Sequence, residues 1–313
     1  MNARRKYFPR TLMAMLMVTI AALTFSTTAF AAGGDTLIQY LPNNTKGVVS
    51  VDVDKLRTSG TLDTLMQSTG ATKQLSSVNS QLSSVGFDPL KQIDRAVLQV
   101  SSFDENAEPL LIFEGRFPQS AIETALKEEA HATRKTIGDI VVYTRGKRGS
   151  LAFLSSTIAV IGPTTAVEAA ANIAAGKATS KPSSAIRGAI AKANETKNLW
   201  FAADLPNDYL DKTPFKGAKS IYGEANIVAD LVMTIHAQMG SAESAESAAN
   251  DAKKTLSEMA QRDEITAIGL APVVQAVQVA AKRDTVNGTL KLDQKRFRRL
   301  LVTVATIIRD QMQ

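Results

Sequence analysis

The sequence predicts an α+β fold of two related halves, each a mainly antiparallel sheet with helices packed on one face. Three observations carry that prediction. Short runs with a period of two come in adjacent pairs, separated by single segments of helical spacing. The order of these elements starts again after a stretch of Gly, Lys, Thr, Ser and Pro that ends near Ser184. Aromatic residues make up only 5% of the chain while Ala, Val, Ile and Leu abound, so an aliphatic core is expected and stacking platforms for sugars or bases are not.

The N-terminus sets the compartment. Arg4, Arg5, Lys6 and Arg10 precede an uncharged apolar run, Leu12 to Phe25, and then Ala29-Phe30-Ala31. This is the pattern of a secretory signal peptide with a small-x-small cleavage site after Ala31. The run is shorter than the roughly 20 residues of a spanning helix, and an uncleaved inner-membrane anchor is the alternative. The expected organisation is a signal peptide (1–31), an N-terminal half (32–176), a linker (177–184) and a C-terminal half (185–313). Of the 36 basic residues four lie in the signal, which has no acidic residue, so the mature chain has 32 basic against 30 acidic residues. That near balance gives no support for nucleic acid as a partner. Cysteine is absent, which removes disulfides, thiolate metal sites and thiol nucleophiles.

In the first half, Asp35 to Leu41 reads as a short helix closed by Pro42. Val48 to Val53 reads as a strand with Val49, Val51 and Val53 on one face and Asp52 and Asp54 on the other. Asp54 is placed to cap the next helix, and Gly60 to Gly86 has helical spacing. Strands follow at Ala96 to Ser101 and Leu110 to Phe117, then a helix from Gln119 to Ala130 with Ser120 and Glu123 at capping-box spacing. Further strands are expected at Ile140 to Thr144, Leu151 to Leu154 and Ile158 to Ile161, with a helix opened by Thr165 and Glu168 and ended by Gly176.

The second half repeats this grammar. A helix from Ser184 to Ala193 leads through Thr196-Lys197-Asn198 into a strand, Leu199 to Leu205, as Thr45-Lys46-Gly47 leads into Val48 to Val53. The unbroken alternation of Ile227, Ala229, Leu231, Met233, Ile235, Ala237 and Met239 predicts one long strand, turning at Gly240 and Ser241 into a helix rich in Ala, Ser and Glu. That unit, Ala225 to Ala260, echoes Glu108 to Ala130 and suggests internal duplication. A helix around Ile265 to Ala276 and a hairpin follow, with Val277 to Val286 meeting Thr289 to Leu292 across Asn287-Gly288, a pair suited to a type I′ turn. A last helix closes the chain.

Few residues invite chemistry. His236 shares a strand face with Asp230, Thr234 and Gln238 and reads as a solvent-facing strand histidine. His131 follows Glu128 and Glu129 at a helix end, where a histidine favours the helix dipole. Asp52 and Asp54 could hold a hard cation or share acid and base roles, but helix capping explains them as well. P-loop, dinucleotide and nucleophile-elbow motifs are missing. Catalytic residues, cofactor and metal ligands are therefore not assigned, and no enzyme activity is expected. The last 32 residues hold eight basic and three acidic residues. Within them Lys295, Arg296, Arg298 and Arg299 form the one candidate contact, with an anionic surface.

Leu41-Pro42-Asn43-Asn44-Thr45, followed by Val48-Val49-Ser50-Val51-Asp52, resembles the start of a loose class of exported bacterial proteins of unknown function, with a signal peptide and duplicated α+β halves. The resemblance supplies no catalytic residue. It implies a cell-envelope protein without known chemistry. The signal pattern, the repeated order and the missing catalytic motifs lead to the expectation of a soluble exported protein, periplasmic or extracellular, that acts as a binding or interaction module for an envelope protein or an apolar ligand. Peripheral attachment to an anionic membrane through the last helix is the alternative, and an enzyme with a carboxylate site a more distant one.

Overall fold

The computed structural model describes residues 36–311 apart from 64–65, 67–81, 105–106, 129–131, 147–148, 194–196, 211–212, 214 and 229. The expected signal peptide, His131 and much of the helix expected over 60–86 lie outside the described residues.

The chain is α+β, and its described residues form one antiparallel sheet of twelve strands. The first half supplies β1 (Gly47–Asp52), β2 (Ile93–Val100), β3 (Leu110–Gly115), β4 (Thr133–Ile137), β5 (Ile140–Thr144), β6 (Ser150–Phe153) and β7 (Ile158–Gly162). From the second half come β8 (Leu199–Ala203), β9 (Ser220–Ile227), β10 (Leu231–Gln238), β11 (Val277–Lys282) and β12 (Thr285–Leu292). Their order across the sheet is β11-β12-β10-β9-β8-β1-β2-β3-β7-β6-β5-β4. Read outward from the central β1–β8 pair, β1-β2-β3-β7-β6 is matched by β8-β9-β10-β12-β11, and the first half adds the hairpin β4–β5. The segment between the halves lies against the first turn of the fold, where Ser180 Oγ donates to Leu41 O at 2.8 Å and Lys181 N to Asn43 Oδ1 at 2.6 Å.

Alternation gives the sheet two faces. The front carries Val48, Val97, Ile112, Val142, Val160 and Trp200, packed under a 3-10 turn (Thr36–Tyr40) and other helical elements. The back carries Val51, Ala96, Phe113, Phe201, Ala225 and Leu290.

The helices among the described residues include α1 (Val53–Thr58), α2 (Pro89–Gln92), α3 (Gln119–Glu128), α4 (Thr164–Ala174), α5 (Ser184–Ile190), α6 (Asn207–Leu210), α7 (Ala242–Ala260), α8 (Asp263–Ala267), α9 (Ala271–Gln275) and α10 (Gln294–Gln311). Of these, α4 and α5 cover the front, burying Val167, Ala170, Ala171, Ile186 and Ala189. On the back lie α1, α7, α8 and α10, through Leu56, Ala245, Ala249, Ile265, Phe297 and Leu301. The first half thus has helices on both faces, whereas the second has them mainly on the back.

Four sequence expectations change. The long strand is two, β9 ending at Ile227 and β10 beginning at Leu231. Ile227 faces Leu231 directly, and an interval of three residues keeps both on the back, so the alternation passes through the turn without a break. Asn287-Gly288 is no turn: the hairpin closes at Arg283-Asp284, with Arg283 at φ 55° and Lys282 paired to Thr285. The helix expected over Ile265 to Ala276 is divided into α8 and α9 by Gly269, whose φ of 73° is left-handed. Finally, α4 begins after Pro163 with no side-chain cap, so Thr165 and Glu168 form no capping box.

Candidate functional site

One row of directly opposed front-face residues crosses every strand. From the β4 edge it runs Lys135, Val142, Ala152, Val160, Ile112, Val97, Ser50, Trp200, Glu224, Thr234, Thr289, Gln278. From Val142 to Trp200 each member is buried, under α4, α5 and the 3-10 turn. Beyond Trp200 the row turns polar and half-buried, ending with the exposed Gln278. Around it Asn226, Val232, Ala280, Lys282 and Lys291 are exposed on the same face. The sheet there is open to solvent on a face that the first half covers.

The next row places His236 at the centre of this open face, between Tyr222 on β9 and Asn287 on β12. The Tyr222 and His236 rings stack at 4.7 Å with 15° between planes. Nδ1 of His236 lies 2.6 Å from Asn287 Oδ1 and Nε2 lies 3.3 Å from Glu224 Oε1. Asn287 Oδ1 and Glu224 Oε1 are both acceptors, an arrangement that favours the protonated ring. Burial pulls the His236 pKa down, but the hydrogen bonds to Glu224 and Asn287 and the Glu224 charge outweigh it, leaving the pKa above its ordinary value. Both nitrogens of the ring therefore face protein partners. Its chemistry here is to neutralise Glu224, whose Oε2 is buried without a hydrogen-bond partner.

Beside it opens a cleft of about 500 Å³ between the chain after α5 and the β11–β12 turn, with Lys192, Gln238, Arg283 and Asp284 among its lining. Lys192 Nζ donates to Gln238 Oε1 at 2.7 Å and sits 6.0 Å from the centre of the Tyr222 ring. Burial, with Glu224 and Asp284 nearby, pushes the Tyr222 hydroxyl pKa up. The expectation of a solvent-facing His236 is therefore corrected: its side chain is 19% exposed and it is held between β9, its neighbour in sequence, and the remote β12. Glu224, Tyr222 and Asn287 were missed because they join His236 only through strand register, and because Asn-Gly is a turn signal wherever it occurs.

The other candidates separate. Asp52 ends β1 and is itself the N-cap of α1, accepting from Lys55 N at 3.2 Å, and it pairs with Lys55 Nζ at 3.0 Å. Asp54 falls in the first turn of the helix, 3.4 Å from Arg57. Burial raises the Asp54 pKa, against the Arg57 charge. The pair is absorbed by capping and ion pairing, and Asp54 is not the cap. Among the described residues no cluster of His, Asp and Glu could hold a metal ion. Lys295, Arg296, Arg298 and Arg299 are all exposed on α10, while Phe297, Leu300 and Leu301 between them are buried. Arg296 is 3.5 Å from Asp293. A second cleft, of about 380 Å³, lies between Pro42 to Asn44 and α4, with Ala166, Ala169 and Ile173 in its wall. Among the described residues no helix is long and apolar enough to cross a membrane.

No protein-family model matches the chain, and no curated protein matches it. Among solved structures it is similar to TP0453 from Treponema in three crystal forms. Form III shows 8% identity and a TM-score of 0.49, covering 88% of this chain and 100% of that one. Form I gives 8% and 0.46 over 88% and 99%, and form IV gives 8% and 0.48 over 86% and 97%.

Proposed function

We propose that the protein is an exported, non-catalytic binding module of the bacterial cell envelope, and that it engages its partner through the open front face of the second half. The observation that carries this reading is the single row across the sheet, buried and mostly apolar beneath α4 and α5 and half-buried and polar from Glu224 onward. Antiparallel sheets often leave one face to solvent. Here the same layer is covered in one half and open in the other, and the open part carries an ordered His, Glu, Asn and Tyr cluster instead of scattered charges. The polarity favours a protein partner over an apolar ligand, for which the cleft beside α4 is the available place. Export rests on the charged, apolar and small-residue order of the first 31 residues. The matched strand orders support descent of the halves from one duplicated unit.

The test compares the purified mature protein with a Thr234→Arg, Thr289→Arg variant, quantifying envelope proteins retained by each. Loss of a defined partner in the variant is expected. Retention of the same proteins by both contradicts the reading, as does turnover in a hydrolase or oxidoreductase panel that His236→Gln abolishes.

A second reading is attachment to anionic lipid through α10, favoured by the exposure of all four basic residues on a helix anchored by Phe297 and Leu301. It predicts salt-sensitive binding to anionic liposomes that disappears in an Arg296, Arg298, Arg299 to Ala variant.

A further inference from the structure

The sheet has two edges, and they are finished differently. At one, β4 reads Thr-Arg-Lys-Thr-Ile, with residues 133–136 exposed and Lys135 paired to Glu168 at 2.6 Å. Charges on an edge strand deter a further strand. At the other, β11 reads Val-Gln-Val-Ala-Ala-Lys and is uncharged until Lys282.

The turn at Arg283-Asp284 decides which backbone groups of β11 are used. A two-residue loop makes its flanking residues a hydrogen-bonded pair, here Lys282 with Thr285, and such pairs alternate along the ladder. Ala280 with Asn287 and Gln278 with Thr289 are the next ones. Val277, Val279 and Ala281 therefore direct their N–H and C=O groups away from β12, and among the described residues no backbone bond satisfies them. Their side chains lie on the back of the sheet, where Val279 and Ala281 pack beside the α7 alanines. The edge is a ledge of alternating donors and acceptors at strand spacing, with an apolar floor.

The first half shows what occupies the corresponding place. By strand order β6 stands to β7 as β11 stands to β12, yet β6 is not an edge. Strand β5 pairs along it, Val142 with Ala152, Tyr143 with Leu151 and Thr144 with Ser150, and β4 pairs in turn on β5. In the second half the chain runs from α7 through α8 and α9 into β11 and supplies no such hairpin. We infer that β11 is an acceptor edge for an extended segment of another protein, which adds antiparallel to it with apolar residues facing the back and polar residues facing the front.

The first half also argues the kind of occupant: what pairs on β6 there is the five-residue strand β5, so a short extended segment is what this place takes. A second copy of the chain on the same edge would show as protection that depends on protein concentration. The edge does not rest on the open front face, and the two can fail separately.

Amide hydrogen exchange on the full mature chain tests the inference, with a synthetic peptide of residues 133–145 as the probe because it is the hairpin that covers β6. In the free protein the amides of Val277, Val279 and Ala281 should exchange fast while Gln278, Ala280 and Lys282 are protected. The peptide should slow the first set by about tenfold or more. Val279→Pro removes an outward N–H, a change that edge strands tolerate, and should abolish the effect. A peptide with proline in place of Val142 should also fail, with the protein unchanged. Thr234→Arg, Thr289→Arg should leave the protection intact. No protection by the peptide, equal protection by its proline version, or protection that grows with protein concentration alone would overturn the inference.

Discussion

In the first half α4 lays Val167, Ala170 and Ala171, each fully buried, over the front-face residues Val142, Ala152 and Val160. By order, α10 is its counterpart, since each helix follows the strand that pairs with the half's third strand, yet α10 turns Phe297, Leu300 and Leu301 to the back. The strands follow the helices. Where the closing helix lies in front, a strand must be apolar on both faces, as in Ile140 to Tyr143. Where it lies behind, only one face need be apolar, and the other is released for polar residues such as Thr234, His236 and Asn287. The position of one helix therefore separates a covered half from one with a free surface.

Substitution along the shared row should give the largest contrast. Ile112→Ala, under α4, should cost about 2–5 kcal/mol, and Thr234→Ala on the open side should stay within about 0.5 kcal/mol. Equal costs in denaturant melts would break the comparison. A smaller contrast is expected between two strand glycines of the second half. A Cβ at Gly223 would meet Thr234 O at 2.5 Å and the Phe201 ring at 2.6 Å, whereas one at Gly288 meets nothing within 4 Å. Gly223→Ala should lose about 1–3 kcal/mol to overpacking, and Gly288→Ala should be neutral or stabilising. In the first half Asp52→Ala removes the α1 cap and should cost about 0.5–2 kcal/mol, with no effect on partner capture by the open face.

The smallest effect is one of pH. Because the folded His236 pKa is raised, its contribution to stability is whole below the ordinary histidine value of about 6.5 and is lost as pH rises through the higher folded value. The stability difference between wild type and His236→Gln should therefore shrink across that window. A difference that stays constant from about pH 5 to about pH 9 contradicts a His236 pKa raised by Glu224 and Asn287.

Much of the sheet was legible because alternation is local. The runs around Val48, Leu110, Ile140, Leu151, Ile158 and Leu199 all fall in strands. By contrast β4 was not, since Thr133 to Thr136 are all exposed and an edge strand of that kind has no apolar period to read. The β9–β10 turn was hidden by a loop whose length preserved parity, and the Arg283-Asp284 turn by a better turn signal a few residues on. Of the site, His236 was visible as a residue but not as a member of a cluster. Its neighbours are set by which strands lie side by side, and no spacing within one strand reveals that.

The chain has no cysteine, so single cysteines can report on the open face in place. Thiol labelling of Thr234→Cys should be fast in the purified mature protein and strongly slowed in the intact envelope, while Glu258→Cys, exposed on α7 behind the sheet, reacts fast in both. Equal labelling of Thr234→Cys in the two settings would contradict a partner bound on the front face of the second half.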